Sequence, residues 1–305
     1  MITQKLKSLY QIFKDAVGVW TGANAPAMGA ATAYYTIFAI APLFILILAL
    51  AALCFGRDAA QHEVFGQVSG LVGEKGGEAI QSMLAAANKP KAGTIATILG
   101  LITLFVGSTG FFMQLQSAID AIWNVRPKGG GIRNFLRTRL VSFATLLGIG
   151  FLLLVSLIVS AGLAALSKWM NGMIPAEKIV WHIVDFAVSV GVVTALFAMI
   201  FKVLPDVKMR WKDVWVGAFI TAVLFAVGKI VIGLYLGRSS ASSAYGMAGS
   251  IIVVLLWVYY SVQILLFGAA ATRIYAERSG SRIEPAPNAE FASQAQPHGK
   301  QPQMA

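Results

Sequence analysis

The chain has one cysteine, Cys54, three histidines, and charged side chains at only 12% of its 305 positions. A single thiol excludes an intramolecular disulfide framework, and without a second cysteine or a local histidine cluster it excludes a cysteine-based zinc site. The scarcity of charge excludes an ordinary soluble enzyme, since soluble domains carry roughly 25% charged residues. Acids are scarcer than bases, 13 against 24. Metal-dependent RNA cleavage needs clustered carboxylates or histidines to hold a divalent ion and activate water. His62, His182 and His298 lie in different segments, and among Asp15, Asp120, Asp206, Asp213, Glu277, Glu284 and Glu290, the acids expected on the cytoplasmic side, no pair has ligand spacing on one continuous helix face. No GxxxxGK[ST] run occurs, so a nucleotide-driven step would have no phosphate-binding loop in this chain. These absences lead to the expectation of a non-enzymatic protein without metal or other cofactor.

What the sequence has is apolar surface. Hydrophobic residues make up 57% of it and the mean hydropathy is +0.73, which makes the bilayer the relevant solvent. Six runs reach the roughly 20 apolar residues that a hydrocarbon core of about 30 Å demands. They cover about 26–55, 92–123, 140–166, 179–204, 214–236 and 244–275. Lipid cannot satisfy open backbone and no barrel-type alternation is present, so the spans are helices. Pro26 sits where a helix start tolerates it, and Pro42 is placed to kink the first span. Ahead of it, Ile2, Leu6, Leu9, Phe13, Val17 and Trp20 recur at three- and four-residue spacing, with Lys5, Lys7 and Lys14 off the stripe. That pattern predicts an amphipathic helix lying in the membrane interface, without the apolar core and cleavage pattern of a signal peptide. The expected fold is therefore all-α: six transmembrane helices plus an N-terminal interfacial helix over residues 1–276. The remainder, 277–305, contains Pro285, Pro287, Pro297 and Pro302 among Ala, Gln and Ser, and is expected to be a disordered, dispensable cytoplasmic tail.

Lysine and arginine set the orientation. Sixteen lie in the N-terminal segment, the connections after spans two and four, and the C-terminal region; seven lie in the alternate connections; Lys229 is inside span five. Positive residues collect on the cytoplasmic side, so both termini are expected there, in a bacterial inner membrane. The same placement explains the net charge of +11 without nucleic acid and makes anionic membrane lipids the expected counter-charge.

Polar residues at membrane depth are costly and therefore become the functional candidates. Gln116, Asp120 and Asn124 are spaced by four on one face near the inner end of span two. They read either as a helix end reaching headgroups, anchored by Trp123, or as the wall of a cytoplasm-facing cavity in which Asp120 meets a cation, a proton or Arg273. Arg238, in the turn between spans five and six, reads as part of a flexible linker or as an anion ligand for a lipid headgroup. Lys229 would cost roughly 2.5–3.5 kcal/mol if unpaired at a helix centre. Reflection across the short connection between spans four and five places Asp185, the one acid within span four, at the same depth, so a Lys229–Asp185 pair is expected. An inverted repeat of three plus three spans is conceivable, with faint self-similarity at Gln114 and Gln263, each of which follows two aromatic residues.

Four runs resemble a known family: AATAYYTIFAIAP at 30–42, FFMQLQSAIDAIWNV at 111–125, LPDVKMRWKDVWVGAFITAVLFAVGK at 204–229, and GLYLGRSSASSAYGMAGSIIVVLLWVYYSVQILLFGA at 233–269. They are similar to the YihY/BrkB family of bacterial inner-membrane proteins, formerly labelled ribonuclease BN. The resemblance implies a six-helix integral protein linked, in some members, to cell-envelope integrity or serum resistance. Transport or presentation of a lipid-like or envelope-precursor substrate is the role most consistent with it. The alternative is a non-transporting scaffold that binds envelope-assembly proteins. The family carries no catalytic residue over to this chain, and the sequence leaves the oligomeric state open.

Overall fold

The computed structural model describes residues 2–38, 109–128, 177–238 and 249–292, together with Gly56, Phe65, Gly66, Ser69, Gly77, Glu78, Gln81 and Gly148. Pro42, Cys54 and the Ser239–Ser243 turn lie outside them, as does the third expected span apart from Gly148.

The apolar spacing of the N-terminal segment forms helix α1 (Ile2–Gly22). Ala16, Val19 and Trp20 pack against the protein, while Tyr10, Phe13 and Val17 keep much of their surface uncovered. An uncovered apolar stripe on a helix docked along its other side suits a membrane interface. Asn24 ends the segment in the left-handed region (φ 52°), which asparagine tolerates better than most residues. Its carbonyl then accepts the Met28 N–H at 3.1 Å and opens α2, helical over 25–38 with Pro26 in its first turn. Helix α3, over 109–122, is followed by strand β1 (Val125–Pro127).

Three long helices follow: α4 (Glu177–Val203), α5 (Trp211–Arg238) and α6 (Gly249–Arg278). Each contains a stretch long and apolar enough to cross a membrane, at Phe186–Val203, Trp211–Tyr235 and Ile251–Arg278. They correspond to expected spans four, five and six; α2 and α3 correspond to the described parts of spans one and two. Helix α4 stops where Leu204 precedes Pro205, because the proline ring disfavours helical backbone in the residue before it. Strand β2 (Val207–Lys208) lies in the connection to α5.

Helix α4 packs against α5, α5 against α6, and α6 against α1. A file of rings crosses three helices, from Phe201 to Phe197, Phe225 and Trp257, with centroids 6.1, 5.7 and 6.0 Å apart. At the α5–α6 crossing, the site of a Cβ on Gly217 is filled by Thr272, and that of a Cβ on Gly268 by Thr221. Each threonine hydroxyl donates to the carbonyl four residues back, Thr221 to Gly217 and Thr272 to Gly268. The polar atoms are thereby satisfied within their own helix, and the two backbones approach closely, as membrane helices commonly do at small residues. The opposite side of α5 leaves Phe219 54% and Ile230 62% exposed, with Val223, Val227 and Leu234 along the same side. So continuous an apolar surface is suited to hydrocarbon rather than water.

Up to residue 292 the C-terminal segment is ordered where disorder was expected, and 293–305 lie outside the described residues. Helix α6 ends in a Schellman motif: Ser281 N–H donates to the Ala276 carbonyl at 3.0 Å, and Gly280 N–H to Glu277 at 3.3 Å, with Gly280 at φ 71°. The chain then reverses into β3 (Glu284–Pro285), antiparallel to β2, and β4 (Ala289–Phe291), antiparallel to β1. A β-turn joins them, closed by Ala289 N–H on the Ala286 carbonyl at 2.8 Å, with Pro287 and Asn288 at its centre. Of the prolines that suggested disorder, Pro287 occupies a turn and Pro285 a two-stranded edge, both positions that proline favours; Pro297 and Pro302 lie outside the described residues. Compositional bias cannot detect two short strands whose partners lie far away in sequence.

Candidate functional site

The residues that end α3, α4 and α6 meet at one end of the helices. Arg278 pairs with Asp15 of α1 there, and Arg126 pairs with Glu290 at 3.1 Å across the β1–β4 clip. The centre of this end is Asp206, directly after Pro205. Its backbone N–H donates to Asp120 Oδ1 at 2.8 Å. Its carboxylate accepts Gln116 Nε2 at 3.2 Å and Asn288 Nδ2 at 3.0 Å, and its carbonyl accepts Ala286 N–H at 2.8 Å. One aspartate thus ties α3, the α4–α5 connection and the C-terminal clip together. Asp120 itself is 4% exposed, and a buried carboxylate requires hydrogen-bond donors of this kind.

Beside the network a cleft of about 450 Å³ opens, lined by Gln116, Lys202, Pro205, Asp206, Lys208 and Asn288 among others. Lys202 donates to the Met209 carbonyl and places its ammonium 5.4 Å from the centre of the Trp211 ring, within range of a cation–π attraction. One wall of the cleft is thereby joined to the exposed face of α5. The cleft reaches Gln116, with Asp120 behind it.

The six residues singled out from sequence fall into separate groups. Gln116 and Asp120 come together through Asp206. Asn124 contributes through its backbone, ending α3 at φ 54° and accepting Ala292 N–H at 2.9 Å. Arg273 approaches the same turn but bonds the Ile122 carbonyl at 2.7 Å and Glu277 at 2.8 Å, instead of meeting Asp120. Lys229 and Arg238 lie about 27 Å and about 40 Å along α5 from Trp211, by the helical rise of 1.5 Å per residue. Lys229 is half-buried and not without an interaction partner. The side chains of Asp185 and Arg238 lie outside the described ones, although their backbones belong to α4 and α5.

Asp206, Asn288, Lys202 and Lys208 were not among the candidates. The first signal that could have found them was Leu204-Pro205-Asp206, a helix stop followed by an acid beside lysines. The second was Pro287-Asn288, a turn signature in a segment that composition assigned to disorder.

Gln114 and Gln263 also converge. Gln114 Nε2 lies 3.5 Å from Met28 Sδ, and Gln263 Nε2 donates to the Ala25 carbonyl at 3.3 Å, where it occupies the space that a Cβ on Gly29 would need. Helices α3 and α6 therefore each contact the first turn of α2 through a glutamine.

Comparison with known proteins agrees with this framework. The family described as "Virulence factor BrkB" matches residues 16–293, a range that includes the C-terminal clip. A UPF0761 membrane protein of Pseudomonas paraeruginosa is 25% identical over 266 residues, covering 84% of this chain and 62% of its own length. One from Saccharophagus degradans is 28% identical over 264 residues, covering 82% of this chain and 56% of its own. One from Ralstonia nicotianae is 31% identical over 180 residues, covering 57% and 38%. The chain thus spans less than two thirds of the length of these relatives. No solved structure matches it.

Proposed function

The chain belongs to the Virulence factor BrkB family of membrane proteins, and from that premise we propose that it moves or presents a lipid-like or envelope-precursor substrate at the polar end of its helices. In this reading it has six spans, sits in the inner membrane with both termini in the cytoplasm, and carries out no covalent chemistry. The 16-to-7 distribution of basic residues supports the orientation. So does the meeting of α1, the end of α3, the α4–α5 connection and the C-terminal segment at one end.

The cleft carries the proposal. It is polar on the side of Gln116, Asp206 and Asn288, cationic at Lys202 and Lys208, and continuous through Trp211 with the apolar outer face of α5. An amphiphile needs both kinds of surface together: headgroup polarity beside hydrocarbon contact. A scaffold for envelope-assembly proteins has no need of such a cleft.

The test is reconstitution of the full chain into vesicles with fluorescently headed or tailed phospholipids, followed by reduction of label exposed outside. Protein-dependent loss of protection is expected, and Lys202→Glu should diminish it. Protection equal to that of protein-free vesicles, across lipids and envelope precursors, would refute substrate movement and leave presentation or the scaffold reading.

A further inference from the structure

The corner where α4 turns into α5 concentrates positive charge beside exposed aromatic side chains. Residues 202–212 carry Lys202, Lys208, Arg210 and Lys212 against a single acid, Asp206, whose two carboxylate oxygens are occupied by Gln116 and Asn288. Glu284, the strand partner of Lys208, is itself drawn toward Arg282 at 3.8 Å. With Asp206, Glu284 and the buried Asp213 all counted, the four cations still outnumber the three acids at the mouth of the cleft, and Lys208, Arg210 and Lys212 are exposed. Immediately beside it, Trp211, Trp215 and Phe219 stand four residues apart, one helical turn each, and all three are exposed. Lys202 belongs to both surfaces, lining the cleft and lying over the Trp211 ring.

We propose that this corner is a binding site for an anionic phospholipid, its phosphate headgroup held by Lys202 and Lys208 and an acyl chain lying along Trp211, Trp215 and Phe219. Charge complementarity selects the headgroup: a zwitterionic lipid offers the same phosphate but adds a cation that these lysines repel. The apolar row selects a lipid over a free anion, because one turn per aromatic side chain provides a track parallel to an extended chain. Tryptophan also anchors at the depth where headgroup meets hydrocarbon. The proposal rests on the lipid-substrate reading only for the ligand class and requires no translocation.

The full chain in detergent is incubated with phosphatidylglycerol and phosphatidylcholine of matched acyl chains, and retained lipids are counted by native mass spectrometry. Phosphatidylglycerol should be retained in preference, and Lys202→Gln with Lys208→Gln should lower that preference by about fivefold per lysine, the factor corresponding to roughly 1 kcal/mol for each basic residue near an anionic surface. Lys14→Gln, the same charge change at an exposed position on α1, should leave it unaltered. Lys208→Gln alone, at an exposed strand position, supplies the readout if the double variant fails to fold.

Equal retention of the two lipids by the wild type would overturn the proposal, as would a preference indifferent to both lysines. Complete displacement of the lipid by millimolar inorganic phosphate would assign the lysines to a free anion and overturn it as well. Selective binding without movement of lipid in vesicles would refute the transport reading and leave this site standing.

Discussion

At the residue scale the protein turns on Asp206. Removing its carboxylate leaves Gln116 Nε2 and Asn288 Nδ2 without their acceptor and removes one of the links between the C-terminal clip and α3. Asp206→Ala is expected to cost about 1–3 kcal/mol, the penalty for stranding buried donors, read as a lower thermal midpoint in detergent. Asn288→Ala in that background should add less than it costs alone, since both act in one network. Asp120 divides differently. Asp120→Asn keeps an oxygen to accept the Asp206 N–H, so it should fold nearly as the wild type, whereas Asp120→Ala should not. If the negative charge of Asp120 serves a substrate or a proton, Asp120→Asn will lose activity in vesicles at an unchanged thermal midpoint. The Lys229–Asp185 pair is a further expectation at this scale. Neutralising either residue alone should destabilise the protein, the double neutral variant should recover part of the loss, and strictly additive losses would dismiss the pair.

At the scale of elements, the α5–α6 crossing is set by two glycines and two threonines in reciprocal positions. Gly217→Leu or Gly268→Leu must push the helices apart at the threonine side chain, costing roughly 1–3 kcal/mol by analogy with overpacked cores. Gly233, with nothing within 4 Å of an added Cβ, is the control, and Gly233→Ala should be tolerated. A thermal melt of the three variants distinguishes the crossing from a general effect of glycine loss. The C-terminal clip is the second element with a clear consequence. Truncation after Arg278 removes β3, β4 and the Asn288 bond to Asp206, so it should lower the thermal midpoint and the yield of inserted protein. Truncation after Ser293 retains each of those contacts and is the comparison. Equal stability of the two truncated proteins would show that the clip contributes nothing to the fold.

At the scale of the whole molecule, the distribution of basic residues makes a topological prediction. In a Cys54→Ser background, a cysteine introduced into the 56–91 segment should react with an impermeant maleimide on intact cells, and a reporter fused after Tyr275 should be cytoplasmic. Labelling only after permeabilisation would invert the orientation and place the cleft on the outer side.

Helix type and membrane location were legible without coordinates, because both follow from sums over many residues: apolar length and charge scarcity. The polar face of Gln116 and Asp120 was legible for the same reason, as a periodicity within one helix. Which residues complete that face was not. Asp206 and Asn288 reach it from 86 and 168 positions beyond Asp120, through a proline stop and a two-strand clip that leave only two or three residues of local signal each. Gly280 and Pro287-Asn288 marked the turns, but a turn signal does not say where the chain goes next. Burial of Asp120, the crossing at Gly217 and Gly268, and the union of Lys202 with Trp211 are pairings between distant segments. Local propensity contributes almost nothing to such pairings, and packing, charge and hydrogen-bond satisfaction decide them together.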